Sequence, residues 1–201
     1  MEKANEPTPT ESKIMDAALH LFSNQGYRET TTRKIAERAD CNELTIFRIF
    51  ENKENLLRSI LKRRLVDDLL DVEIPFEPTG RPREDLISLC RIMQSSFGQR
   101  RDLFRLMLRE QLKNDVVKEY RGVIPVIWKD LIVEKFSSVI NEYSRDDINL
   151  ETASLFMASY VLRAEMMKTL LGNDPFESTN EEHLREAVDI FLRGTIGEGS
   201  N

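Results

Sequence analysis

The sequence predicts an all-α protein, and three observations carry that prediction. Apolar residues recur at three- and four-residue spacing through most of the chain, capping signals punctuate it, and no apolar–polar alternation runs long enough for a strand. Thr8-Pro9-Thr10-Glu11 reads as a capping box with Pro at the first helical position; Ile14, Ala17, Ala18, Leu21 and Phe22 follow at helical spacing, and Gly26 closes this first helix. Thr30–Thr32 opens a short second helix that turns Ile35, Ala36 and Ala39 inward. After the turn Asp40-Cys41-Asn42 a third helix runs to about Phe50. Asn52 is placed to cap a long fourth helix with Leu56, Leu57, Ile60, Leu61, Leu65, Leu69 and Leu70 on one face. The prolines and glycine between Val72 and Pro82 break it and read as a linker. Five further helices are expected over about 83–97, ending at Gly98, 101–112, 126–143, 150–171, ending at Gly172, and from a second capping box at Thr179-Asn180-Glu181-Glu182 to Gly194. That makes about nine helices in all.

Composition narrows the function classes. The chain has 201 residues, 40% of them apolar, which suffices for a core in one domain or two small ones. The longest uncharged stretches, Ala17–Tyr27 and Thr152–Leu162, are far short of the roughly 20 residues a membrane span requires. The N-terminal segment has acidic residues and no apolar core, unlike a secretory signal. Cys41 and Cys90 form neither a CxxC pair nor a disulfide framework, so a cytoplasmic location is expected. Net charge is −6, which by itself argues against nucleic acid. The average conceals an asymmetry: between Gly26 and Arg64 stand ten Lys or Arg against six acids, leaving that segment at +4 and the remainder at −10. A polyanion-binding head on an acidic body has this pattern, and so does a run of solvated helix faces.

Three short helices within the first 50 residues, the second and third separated by three residues, outline a helix-turn-helix. At about 100° per residue, Ile46, Ile49 and Phe50 share one side of the third helix and face Ile35, Ala36 and Ala39. Leu44 and Arg48 then point away, with Thr45 and Phe47 on the flanks. A DNA major groove suits such a face, because Arg pairs bidentately with guanine and apolar groups touch thymine methyls. An ordinary bundle in which Leu44 and Phe47 meet another helix is the alternative.

The run Gly26-Tyr27-x-x-Thr30-Thr31-x-Arg33-x-Ile35-Ala36-Glu37-Arg38-Ala39, followed by Thr45-Ile46-Phe47-Arg48-Ile49-Phe50 and Asn52-Lys53-Glu54-x-Leu56, resembles the DNA-binding domain of the TetR/AcrR family of transcriptional regulators. The resemblance implies a helix-turn-helix domain over 1–54, joined by the fourth helix to a helical effector-binding and dimerisation domain over 55–201. It implies phosphate contacts from Thr31, Arg33 and Lys53, and a groove face made of Asn42, Glu43, Leu44, Thr45, Phe47 and Arg48. Tyr27 is expected to pack beneath the first helix. The chain departs from the family pattern at Asp40, where Gly is usual, at Glu43 and Leu44, where Lys and Gly are frequent, and at Phe47, where Tyr is usual. Glu43 repels phosphate but can accept from cytosine N4.

For the body, the resemblance implies a cavity for a small, often apolar effector. Met93, Phe97, Phe104, Met107, Trp128, Phe156 and Tyr160 are candidates to line it, although such residues at helical spacing also build ordinary cores. The last two helices offer Leu155, Ala158, Val161 and Leu162, with Leu184, Val188, Phe191 and Leu192, as a homodimer interface. The partners expected are therefore double-stranded DNA, a second copy and an effector, with no membrane. No cofactor or metal is expected. His20 and His183 have no ligand spacing, and no phosphate-binding loop or catalytic signature is present, so an enzyme is not expected. The function expected is that of a repressor released from a palindromic operator by its effector. Two other readings stay open: a redox-responsive regulator acting through Cys41, and a helical interaction module that has lost specific DNA binding.

Overall fold

The computed structural model of the chain describes residues 7–67, 76–120, 123–174 and 180–196, with residues 123–128 described by backbone only. Leu69 and Leu70, the start of the expected linker, Thr179 and the Trp128 side chain lie outside the described residues. Among those described are ten α-helices: α1 (Pro9–Gln25), α2 (Thr32–Ala39), α3 (Glu43–Phe50), α4 (Lys53–Leu61), α5 (Pro82–Gln99), α6 (Arg101–Glu110), α7 (Asp115–Glu119), α8 (Val123–Ile140), α9 (Leu150–Leu171) and α10 (Glu181–Thr195). None is long and apolar enough to cross a membrane.

The chain folds as two compact units, neither continuous in sequence: Met1–Val72 with Arg101–Pro125, and Glu73–Arg100 with Val126–Asn201. A cut at residue 54 falls inside the first unit, because Leu56, Leu57, Ile60 and Leu61 of α4 are fully buried and α4 packs on α1, α3 and α7. In this unit α1 begins at the expected capping box, Thr8 Oγ1 accepting from Glu11 N at 3.3 Å and Glu11 Oε2 from Thr8 N at 2.6 Å. Ile14, Ala18 and Phe22 are fully buried, and α1 packs against α2, α4 and α6. Beyond Leu61 the expected long helix continues with wider π-helical winding over Lys62–Asp67, still burying Leu65. α6 stops at Glu110, two residues short of the expected end. The short α7, which the sequence reading lacks, follows because Asn114 Oδ1 accepts from Val116 N and Val117 N. Arg58 of α4 holds α7 with a bidentate pair to Glu119, at 2.6 and 3.1 Å.

In the second unit α5 packs against α9 and α10. Asp85 is buried and accepts from Thr79 N, Thr79 Oγ1 and Arg81 N, which starts α5 at Pro82. Pro125 lies in the first turn of α8, where its missing N–H costs nothing, so that helix begins ahead of the expected start. Gly172 ends α9 in the left-handed conformation at φ +83°, as expected. Gly98 and Gly194, by contrast, lie within α5 and α10, which end one residue beyond each. α8 is tied to α9 by Lys129–Glu151 at 2.6 Å and Ser137–Ser154 at 3.3 Å.

Candidate nucleic-acid interface

α2 and α3 take their relative placement from a tight turn and two caps. Asp40 ends α2 in the left-handed conformation, φ +52° and ψ +53°, its N–H bonded to Ala36 O. An Asp adopts this shape at more cost than the Gly usual there. Asn42 Oδ1 then caps α3 by accepting from Leu44 N at 2.9 Å. Ile35, Ala36 and Ala39 on α2 and Ile46 and Phe50 on α3 are buried, so one side of α3 is committed to the core. Its opposite side is open: Leu44 is 73% exposed and Phe47 43%, Arg48 is exposed, and Thr45 is half-buried at the edge. Among the described residues no other element covers Leu44, unlike in the bundle alternative.

The remaining candidates divide. Thr31 and Arg33 are exposed, Thr31 Oγ1 capping α2 by accepting from Lys34 N and Arg33 pairing with Glu37 at 3.1 Å. Glu43 turns away from the open face: half-buried, it accepts from Thr32 Oγ1 at 2.6 Å and so ties the first turns of α2 and α3 together. Lys53 is also half-buried. Its ammonium donates to Tyr27 O and Thr30 O, both at 2.9 Å, and stands 4.3 Å from the centre of the Tyr27 ring. Burial lowers the Lys53 pKa and nearby Glu29 opposes the shift. Tyr27 packs on Phe22 of α1, ring centres 5.2 Å apart. Between α3 and α4, Glu51 adopts φ +67° and ψ −47° while Asn52 N donates to Phe50 O at 2.7 Å, a strained γ-turn that nothing in the local sequence announces.

Cys41 is half-buried, and burial followed by the Asp40 charge raises its thiol pKa, which disfavours the reactive thiolate. Burial pushes the Cys90 thiol up to about 12. Among the described residues no group of three or more His, Cys, Asp or Glu could hold a metal ion. His20 is paired with Asp102 at 3.1 Å.

The candidate cavity residues are dispersed. Phe104, half-buried, and Met107, buried, belong to the first unit; Met93 and Phe97 are buried in the second, and Tyr160 donates from its hydroxyl to His183 O. Phe156 is 68% exposed, so it faces outward rather than into an interior effector cavity. A comparable inversion affects the α9–α10 pair. Ala158, Val161, Leu184, Val188 and Phe191 are buried within their own unit, Leu155 and Leu192 are half-buried, and of the eight expected interface residues only Leu162 is exposed. The pair instead presents Phe156 and Ile190, which line a shallow apolar groove with Ile148, Ala153 and Phe191. α9 is apolar around most of its circumference, so spacing alone cannot tell its inner side from its outer.

Comparison with known proteins supplies an independent line. Residues 14–60, from α1 to near the end of α4, match the family described as bacterial regulatory proteins, tetR family. The chain is 28% identical over 187 residues to an uncharacterized HTH-type transcriptional regulator, YvkB of Bacillus subtilis, covering 92% of this chain and 97% of that one. It is 40% identical over 60 residues to the HTH-type transcriptional repressor KstR of Rhodococcus jostii, covering 30% of this chain and 28% of KstR. Its fold is similar to that of SmeT in a SmeT–triclosan complex, with a TM-score of 0.68 at 19% identity, covering 96% of this chain and 95% of SmeT.

Proposed function

We propose that the chain, whose residues 14–60 match the tetR family of bacterial regulatory proteins, is a repressor of that family that binds a palindromic operator as a homodimer and leaves it when a small apolar effector binds. The observation that carries the DNA-reading part is the open side of α3. Leu44, Phe47 and Arg48 stand exposed on a helix whose other side is fully committed to packing, and exposed apolar groups beside an Arg suit thymine methyls and a guanine edge. Thr31 and Arg33, exposed at the start of α2, are suited to phosphate. Asn42 and Thr45 flank the reading face. Such a regulator works in the cytoplasm, where the DNA is.

The dimer part is supported by the Phe156–Ile190 groove, a twofold pairing of which would bury both side chains. Two α3 helices would then enter successive major grooves about 34–36 Å apart. Repression is supported by the likeness to KstR, and effector release by the SmeT–triclosan complex together with a second-unit core containing Met93, Phe97, Phe136 and Met157. Selection of bound fragments from random duplex DNA by the full chain tests the reading. An inverted repeat with half-sites one helical turn apart is expected; a pool that stays random overturns it.

A further inference from the structure

Residues 26–30 join α1 to α2 without regular structure, yet side chains from α2, α4 and α6 bond four of the backbone polar groups of this turn. Gly26 N donates to Phe22 O, and Gly26 O accepts from Thr30 Oγ1 at 2.8 Å. Tyr27 N donates to Glu110 Oε1 of α6 at 3.1 Å. Tyr27 O and Thr30 O accept from Lys53 of α4, and Glu29 O from Lys34 of α2. Beside Glu110, Arg109 donates to Asn24 O at 2.8 Å and Gln25 O at 3.2 Å, closing the carbonyl end of α1. The backbone requires Gly26, whose φ of +99° strains any residue with a Cβ, and the carboxylate of Glu29 and the side chains of Arg109 and Glu110 close around it.

Glu110 is 6% exposed and lies 83 residues from the N–H it accepts. A buried carboxylate is costly unless it is bonded, and the bond from Tyr27 N is what offsets that cost here. The residue that follows the turn is Thr31, which caps α2 and is proposed above to meet phosphate. We infer that Glu110 and Lys53 are positioning residues for DNA binding: Glu110 holds the 26–30 turn at Tyr27 N and Lys53 holds it at Tyr27 O and Thr30 O, and with it Thr31 and the first turn of α2, in the shape that meets the duplex. Lys53 acts there by fixing two carbonyls, a different task from the phosphate contact that the family resemblance implies. The inference rests on the DNA-binding reading and adds to it a pair of control points that need not touch DNA.

Charge makes the test a matter of sign. Glu110→Ala removes a negative charge, which by electrostatics alone strengthens binding to a polyanion; loss of the turn's anchor weakens it. We expect binding of the full chain to its selected duplex to fall about tenfold in Glu110→Ala, and to stay within about twofold of wild type in Glu110→Gln, whose amide oxygen still accepts from Tyr27 N. Lys53→Ala is measured over a range of salt concentration. Loss of one phosphate contact from each protomer of the bound homodimer lowers the slope of log K against log salt by about 1.8, whereas loss of positioning weakens binding and leaves the slope in place. Lys53→Ala does not touch the packing of α6, so it carries the test even if Glu110→Ala fails to fold. Unchanged or tighter binding by folded Glu110→Ala, or a slope reduced by about two in Lys53→Ala, overturns the inference. A wild-type chain that selects no sequence overturns the regulator reading itself, and a wild-type preference retained in full by Glu110→Ala overturns only the role assigned to the turn.

Discussion

The outer side of α3 and the outer side of the α9–α10 pair both present large apolar residues, but they arise differently. α3 is eight residues long with one buried side, so packing of Ile46 and Phe50 forces Leu44, Phe47 and Arg48 outward. α9 is 22 residues long and apolar nearly all round, so the same residue types occur on both its sides and only neighbouring helices decide which are covered. Val161 is fully buried while Leu162, one position on, is exposed. Helical period names a direction only where the helix has a polar side to set against the apolar one.

The sharpest way to break this comparison is to cut one residue from each side of the α9–α10 pair. Leu184→Ala empties a buried site and should cost roughly 2–5 kcal/mol of unfolding free energy, with a folded remainder that still dimerises. Ile190→Asp, at a position 68% exposed, should leave the unit folded and shift sedimentation from dimer to monomer. The opposite pattern would place the interface on the residues that spacing suggested. On α3 the contrast is between stability and recognition. Arg48→Ala should remove roughly 1–3 kcal/mol of discrimination between selected and unselected duplex. Leu44→Ala should change stability by no more than about 0.5 kcal/mol while weakening selected-duplex binding, and equal binding would remove Leu44 from the reading face.

These contrasts also mark what the sequence made legible. The caps at Thr8 and Asn52 are local signals, and each makes its expected bond. The left-handed Asp40 and the end of α9 at Gly172 follow from residue type and position. Long-range partners were not legible. Glu43 was read as a phosphate-repelling or cytosine-reading group because nothing local shows Thr32 across the turn. Glu110 and Arg109 stand more than 80 residues from the α1 end they grip, and no periodicity encodes that meeting. The Glu51 γ-turn escaped because residue type gives no warning of a positive φ at Glu.

The Thr32–Glu43 bond offers a finer test of the α3 side. If it sets how α3 leans on α2, Thr32→Val should lower stability by about 1 kcal/mol and blunt sequence discrimination, while Glu43→Gln, which keeps an acceptor, should discriminate normally and bind all duplexes more tightly through its lost charge. Identical discrimination in wild type and Thr32→Val would leave Glu43 an electrostatic brake only.

The smallest effect lies at the polar edge of α10. Two hydrogen bonds from Arg83, at 2.6 and 3.0 Å, with Arg193 and Arg185 adding charge attraction, hold the Asp189 carboxyl below its usual range despite the opposing effect of burial. A depressed folded pKa means that the pair stabilises above the unfolded value of about 3.9 and that this contribution fades as pH falls through the folded pKa. Both side chains are more than a third exposed, so solvent screening limits the pair to about 0.5 kcal/mol. Asp189→Asn should therefore be slightly less stable than wild type at neutral pH, with the two denaturation midpoints converging in acid. A gap that persists unchanged below the folded pKa would assign Asp189 to packing, in the manner of its buried neighbour Val188, and erase the line drawn here between the covered and open sides of the pair.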